Sequence, residues 1–266
     1  MTFINLSHCQ FITQIPDLSG AKSLKVFTLD KCHKLVMFDK SIGFMPNLVY
    51  LSASECTLLT SFVPKMYLPS LEVLSFNFCR RLEHFPHVMQ KMDKPLKIYM
   101  MSTAIKEIPK SIGNLTGLEH IDMSVCKELK NLPSSFFLLP KLVTLKVDEC
   151  SKLGESFQRF QESRHSVANG SANLVTLHFC ETNPSYEDLC AILEIFPKLE
   201  DLNLSHNGFV ALPNSIRASS HLKSLDVSFC RNLKEIPELP ISIQKVDARY
   251  CQSLTSETSS MLWSKV

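Results

Sequence analysis

Residues Leu222–Pro237 read LKSLDVSFCRNLKEIP, and this stretch decides the fold. When Cys230 is taken as position 0, apolar residues lie at positions −8, −5, −3, +3 and +6, and Pro237 follows directly. Apolar and polar residues alternate just before the cysteine, which is typical of a strand with one buried face. The stretch therefore predicts a short strand that ends at Cys230.

The same spacing recurs along the chain, which indicates a series of repeated units. Position 0 of these units is occupied by Cys9, Cys32, Cys56, Cys79, Thr103, Cys126, Cys150, Thr182, Asn207, Cys230 and Cys251. Most steps between these residues are 23 to 25 residues long, and leucines with this spacing and period are typical of leucine-rich repeats. We predict an α/β leucine-rich-repeat solenoid, or horseshoe. Its parallel β-sheet lines the concave side, and its convex side is mostly irregular or short-helical.

The units also predict the domain organisation. About eleven of them extend over residues 1–254, and residues 255–266 are interpreted as a C-terminal tail, the start of a post-repeat segment. The step from Cys150 to Thr182 is 32 residues, and the polar residues near 155–172 predict an inserted surface loop. The following stretch SYEDLCAILEIF has apolar residues at helical spacing, with Ser185 and Asp188 placed as a capping box, so it predicts a helix.

Eight of the ten cysteines lie at position 0, where a residue turns inward as the chain leaves its strand. Asparagine normally satisfies backbone groups there, and threonine or cysteine does so more weakly. A zinc site needs clustered ligands, which the sequence lacks. Disulfides between neighbouring units are an alternative because stacked strands lie about 5 Å apart, but free thiols are favoured. Cys180, at position −2, is expected to face solvent and to be the most reactive thiol.

Composition and motifs exclude several functions. The 266 residues include 28 basic and 26 acidic ones, a balance that disfavours a nucleic-acid binder or a basic membrane anchor. The N-terminal MTFINLSHCQ does not resemble a signal peptide, and no apolar run is long enough to span a membrane. We expect no catalytic residues, no cofactor and no metal, because hydrolase, metalloprotease and phosphate-loop motifs are missing. The expected location is the cytoplasm or the nucleus.

The concave face is the expected binding surface, because outward residues of stacked strands form its lining. Each aromatic there either packs against the neighbouring unit or contacts a protein partner. The candidate partner-binding residues are Tyr50, Phe78, Tyr99, Lys146, Asp148, His178, Asp226, Phe229, Arg249 and Tyr250.

Several stretches carry a family resemblance. NLSHCQFITQIPDLSG at 5–20, TAIKEIP at 103–109, LNLSHNGFVALPNSI at 202–216 and the closing LKEIPELPISIQKVDARYC at 233–251 resemble the repeats of plant TIR-NBS-LRR disease-resistance proteins. This resemblance implies the repeat region of an intracellular immune receptor, which senses a pathogen effector or a guarded host protein and restrains the nucleotide-binding domain. It also implies that longer relatives carry NAD-cleaving and ADP/ATP-binding domains, whose motifs are not in this sequence.

Two other classes use the same kind of surface. One is an extracellular leucine-rich ectodomain that binds a peptide, and four N-x-[ST] sequons are compatible with it. The other is a scaffold or ubiquitin-ligase adaptor. In all three cases the expected partner is a protein, and neither nucleic acid, membrane nor a small-molecule substrate is expected.

Overall fold

The computed structural model describes residues 1–153 and 173–255, so the insertion predicted near 155–172 and nearly all of the predicted tail lie outside the described residues. Most units contribute a strand of three residues, formed where apolar and polar side chains alternate. The strands are β1 (Phe3–Asn5), β2 (Gln14–Ile15), β3 (Val26–Thr28), β4 (Met37–Phe38), β5 (Tyr50–Ser52), β6 (Lys65–Met66), β7 (Val73–Ser75), β8 (His87–Val88), β9 (Leu96–Tyr99), β10 (Leu118–Asp122), β11 (Thr144–Lys146), β12 (Thr176–His178), β13 (Asp201–Asn203), β14 (Ser224–Asp226) and β15 (Lys245–Asp247).

One parallel sheet of eleven strands runs through all described units, in the order β1-β3-β5-β7-β9-β10-β11-β12-β13-β14-β15. Equivalent positions of neighbouring units pair in register, as Leu202 does with Leu225 and Leu225 with Val246. Each strand therefore hydrogen-bonds to the strand of the next unit. The predicted leucine-rich-repeat solenoid with a parallel concave sheet is confirmed.

The opposite side of the units is built from short elements, as the sequence predicts. Within the described ranges, four 3-10 helices occupy it at Lys40–Phe44, Lys110–Asn114, Ser134–Leu138 and Asn214–Ala218. The strand pairs β2–β4 and β6–β8, together with isolated bridges such as Glu107 with Asn131, also connect neighbouring units on this side. This side has fewer backbone connections between units than the concave sheet.

One α-helix, α1 (Tyr186–Ile195), interrupts this pattern within the described residues. Ser185 Oγ accepts a hydrogen bond from the Asp188 amide at 3.1 Å, and Asp188 Oδ2 accepts one from the Ser185 amide at 2.9 Å. This reciprocal pair satisfies two amides that a helix start leaves free. The predicted helix and its capping box are both confirmed. The described part of the chain contains no helix of the length and apolarity that a bilayer crossing needs.

The core is a continuous stack of the inward residues. Leu222, Leu225 and Val227 are fully buried, as are the equivalent residues of most units. Burial decreases at the two ends of the described solenoid, where Leu6 and Val246 are only partly covered. This gradient follows from the architecture, because each unit buries its apolar face against its neighbours.

Candidate partner-binding surface

The position 0 thiols connect each unit to the one before it. Seven cysteines donate S–H hydrogen bonds to the position −3 carbonyl of the preceding unit, with Sγ to O distances of 3.0 to 3.2 Å: Cys32, Cys56, Cys79, Cys126, Cys150, Cys230 and Cys251. Thr103 takes part through its hydroxyl, which lies 3.2 Å from the Cys126 sulfur. These side chains lie beneath the concave surface and support the strands that form it.

Asn207 makes more of these connections than any cysteine at position 0. Its Nδ2 donates to the carbonyls of Phe179 and Leu204, both at 2.8 Å, and its Oδ1 accepts from the amides of Thr182 and Asn183 at 3.0 and 2.7 Å. Asn207 as a whole residue is only 2% exposed. A carboxamide has both donors and an acceptor, so Asn207 ties two units together from both sides.

All ten cysteines are free thiols in the structure. Burial raises the pKa of Cys79 and of Cys230 to about 12, which keeps these sulfurs protonated and able to donate. Cys180 does not fit the expectation of a reactive, solvent-facing thiol. It is half-buried, and desolvation together with the nearby carboxylates raises its pKa, which disfavours the nucleophilic thiolate.

Position −1 has the same unusual backbone in every unit. Its φ angle lies between 53° and 65° at His8, Lys31, Glu55, Phe78, Ser102, Val125, Glu149, Glu181, His206, Phe229 and Tyr250. This left-handed conformation costs a residue other than glycine roughly 1 kcal/mol or more. The compensation is a hydrogen bond to the next unit: ten of these amides donate to a position −2 carbonyl at 2.7 to 3.1 Å.

The predicted partner-binding residues lie on the concave strands or at their carboxyl ends. Three of them are clearly exposed: Phe78 at 37%, Tyr250 at 63% and the side chain of Arg249 at 74%. The others are half-buried between neighbouring units, namely Tyr50, Tyr99, Lys146, Asp148, His178, Asp226 and Phe229. They form a strip across seven units rather than one pocket.

Two of the predicted residues also stabilise the backbone. Asp226 Oδ1 accepts a hydrogen bond from the Ser228 amide, two positions along the chain, at 2.8 Å. Asp148 Oδ1 instead accepts from the Cys180 amide of the next unit, also at 2.8 Å.

The same bond recurs in two versions. The within-unit version occurs at Asn5, Asp122, Asn203, Asp226 and Asp247, and the cross-unit version occurs at Asp30, Asn77 and Asp148. The backbone amide at position −2 therefore donates a hydrogen bond to an Asp or Asn side chain, which belongs either to its own unit or to the previous unit.

His178 lies between carboxylates of two neighbouring units. Its Nδ1 is 3.6 Å from Asp148 Oδ2 and its Nε2 is 3.3 Å from Asp201 Oδ2. Asp148, the less exposed of the two acids, contributes most to a raised pKa of His178, against the opposing effect of burial. When it is protonated, the imidazole connects three units by charge.

Three rings at position −1 stack along the carboxyl ends of the last strands. The His206 and Phe229 centroids are 4.4 Å apart with an angle of 12°, and those of Phe229 and Tyr250 are 4.5 Å apart with an angle of 23°. Sequence reasoning identified Phe229 and Tyr250 but missed His206. The shared position −1 is the signal that connects all three.

Beside this stack, Arg249 pairs with Asp247 of its own unit. The guanidinium Nη2 is 2.7 Å from Asp247 Oδ2, and Nε lies 3.0 and 3.1 Å from the two carboxylate oxygens. This hydrogen bonding lowers the pKa of Asp247. Among the described residues, no group of three or more His, Cys, Asp or Glu side chains is arranged to hold a metal ion. The arrangement is suited to contact with a macromolecule, because it is extended and shallow.

Known proteins resemble this chain over most of its length. A family model described as leucine-rich repeats of RPS4B-like disease resistance proteins matches residues 67–239. The TMV resistance protein N of Nicotiana glutinosa is 28% identical, over 91% of this chain and 25% of that protein. Disease resistance protein RPS4B of Arabidopsis thaliana is 30% identical, over 78% of this chain and 16% of that protein. The chain thus spans a quarter or less of the length of these relatives.

Solved structures also align with the chain. A leucine-rich-repeat protein of Leptospira interrogans does so with a TM-score of 0.42 and 14% identity, over 96% of this chain and 74% of that chain.

Proposed function

Because the chain belongs to the leucine-rich repeats of RPS4B-like disease resistance proteins, we propose that it is the sensing and autoregulatory domain of an intracellular plant immune receptor. The chain is a defence-related repeat domain and not an enzyme. In the proposed role it binds a pathogen effector or a guarded host protein, and it restrains the nucleotide-binding domain of a longer receptor. The proposed location is the cytoplasm or the nucleus.

One observation supports this proposal most directly: the residues that build the scaffold are different from the residues that line the concave surface. The core positions stay apolar and position 0 is cysteine in eight of the eleven units, and the hydrogen bonds of these cysteines set the spacing of the strands. The outward residues at positions −6, −4, −2 and −1 differ from unit to unit and end in an exposed strip of rings and charges. A constant frame with a variable concave surface suits recognition of a protein partner.

The proposal is tested with the whole 266-residue chain displayed on yeast and probed with a panel of purified effectors from plant pathogens. We expect at least one effector to bind the unaltered chain and to lose binding when Phe229→Ser and Tyr250→Ser are combined. Thermal melts measured by circular dichroism should stay cooperative, because Tyr250 is exposed and Phe229 is only half-buried at the carboxyl edge.

The matched control places Val210→Ser and Tyr186→Ser, two exposed apolar residues outside the concave strands, in the same assay. If effector binding is lost with the control pair and kept with the concave pair, the concave surface is not the sensing surface. If a secreted peptide binds and no effector does, the alternative of an extracellular ectodomain replaces the proposal.

A further inference from the structure

One row of side chains combines features that point to a particular kind of partner. The position −1 residues of the last five units are, in order, Glu149, Glu181, His206, Phe229 and Tyr250. All five have left-handed backbone torsions, and the amides of the first four donate to the next unit. The row is therefore held rigidly along one edge of the concave sheet, and we call it the carboxyl-edge row.

The row offers aromatic surface at one end. His206 and Tyr250 are exposed, whereas Phe229 is half-buried because it lies between them. Tyr250 ends the stack, so the outer face of its ring has no stacking partner among the described residues. Stacked rings with exposed faces attract planar cations, since the face of an aromatic ring carries negative partial charge.

The other end of the row is acidic. Glu149 and Glu181 are exposed, and no ion-pair partner of either is found in the described ranges 1–153 and 173–255. The carboxylates of Asp148, Glu181 and Glu149 all act on the Cys180 thiol and raise its pKa, although burial is the larger cause. This end of the row therefore carries a local group of carboxylates, although the chain as a whole has a net charge of +2.

The neighbouring strand shows that this surface accommodates a guanidinium. Arg249 pairs with both oxygens of Asp247, and it is the residue directly before Tyr250. That pair uses the carboxylate of Asp247. The two glutamates of the carboxyl-edge row are comparable acceptors on which no cation of the described residues is placed.

We propose that the carboxyl-edge row binds an arginine-rich segment of the protein partner. Guanidinium groups can pair with Glu149 and Glu181 and stack on the outer face of Tyr250, the ring that ends the stack. Arginine suits both contacts because it is planar and permanently charged. Lysine can make the ion pairs but stacks less well. Acidic proteins and nucleic-acid phosphates are repelled by the same carboxylates. This inference rests on the proposed function and specifies the chemistry of its partner.

The test uses fluorescence anisotropy of labelled hexa-arginine and hexa-lysine peptides with the full 266-residue chain. We expect hexa-arginine to bind more tightly than hexa-lysine, and both to weaken as salt is raised. Glu149→Gln combined with Glu181→Gln should weaken both peptides by about tenfold. Phe229→Ser combined with Tyr250→Ser should remove the preference for arginine and leave hexa-lysine binding unchanged.

The matched control is Glu107→Gln combined with Glu235→Gln, which removes two exposed carboxylates at the opposite end of the units. Equal weakening by the control pair would mean that the peptides respond only to total charge, and the inference would be wrong. It would also be wrong if hexa-arginine did not bind, or bound no better than hexa-lysine. An effector that binds the concave face without a basic segment would overturn this inference and leave the proposed function standing.

Discussion

Two regions of the solenoid connect neighbouring units through different side chains. In the second to fourth units, Cys32, Cys56 and Cys79 each give one thiol hydrogen bond to the previous unit, and leucines supply the rest of the core. Residues 174–211 instead use Asn207 with four hydrogen bonds, and they contain α1. They also contain His178 between two carboxylates.

The difference follows from the spacing of the units. Where the step is 23 or 24 residues, equivalent atoms of neighbouring units meet, and a small buried thiol is sufficient at position 0. The step into the unit of Thr182 is 32 residues, and that unit also contains α1. Directional bonds from an asparagine and a histidine hold this region in register, since they fix orientation as well as distance. Four substitutions test this contrast, in decreasing order of expected effect.

Asn207→Ala should have the largest effect on stability. It leaves the Thr182 and Asn183 amides without their side-chain acceptor, whereas the Phe179 and Leu204 carbonyls keep the Thr182 hydroxyl and the Cys230 thiol as donors. We therefore expect a loss of about 3 kcal/mol in the free energy of unfolding. Urea denaturation followed by circular dichroism measures this loss. Asn232→Ala is the control, because its single bond to the Gly208 carbonyl is exposed and 3.3 Å long. If Asn207→Ala lost no more stability than the control, the claim that the two regions connect their units differently would be wrong.

Asp148→Ala should cost about 2 kcal/mol, roughly twice the cost of Asp226→Ala, because each lost hydrogen bond contributes about 1 kcal/mol. Asp148 accepts from the Cys180 amide of the next unit and also faces His178, whereas Asp226 accepts from Ser228 within its own unit. Paired urea titrations compare the two variants. Equal costs would show that bonds between units are no more important in the irregular region than bonds within one unit.

Cys79→Ala should cost about 1 kcal/mol, because one neutral hydrogen bond is lost and the alanine leaves only a small space. The half-buried thiol of Cys180 provides the control, and Cys180→Ala should change the free energy of unfolding by less than about 0.5 kcal/mol. The two variants are compared in the same urea series. If Cys79→Ala were neutral, packing alone would account for the cysteines at position 0.

The pH dependence of His178 should be the smallest effect. Because its folded pKa is raised above the usual value of about 6.5, its stabilising contribution is complete below that pH and is lost as the pH rises through the folded pKa. The histidine and its acids are partly exposed, so the contribution should stay below about 1 kcal/mol. His178→Gln should flatten the stability profile in this pH range. An unchanged profile would show that the two carboxylates do not act on His178.

The sequence predicts the frame of this molecule well. The spacing of Leu222, Leu225 and Val227 assigns the buried face, because period-two alternation leaves one choice of register. Ser185 and Asp188 predict the start of α1, since a capping box depends on residues three apart. These features are local, or they repeat along the chain, so one sequence is enough to identify them.

Features that depend on the neighbouring unit are not predictable in this way. Val125 and Phe229 have no preference for positive φ, so their torsions follow from the hydrogen bonds between stacked units. By contrast, the register separates the two versions of the side-chain bond, because Asp226 at position −4 accepts from its own unit and Asp148 at position −2 accepts from the next. Whether the candidate residues bind a partner stays a prediction.

The left-handed residue at position −1 has a consequence for how such a protein can diversify. Eleven residues of very different size and charge, among them the β-branched Val125, take this conformation without altering the strands beside them. A substitution at any of these positions therefore changes one side chain on the surface and leaves the scaffold intact. Residues about two dozen positions apart in the sequence are neighbours in the structure. Recombination between repeats can therefore exchange these surface residues independently of one another and produce many different combinations.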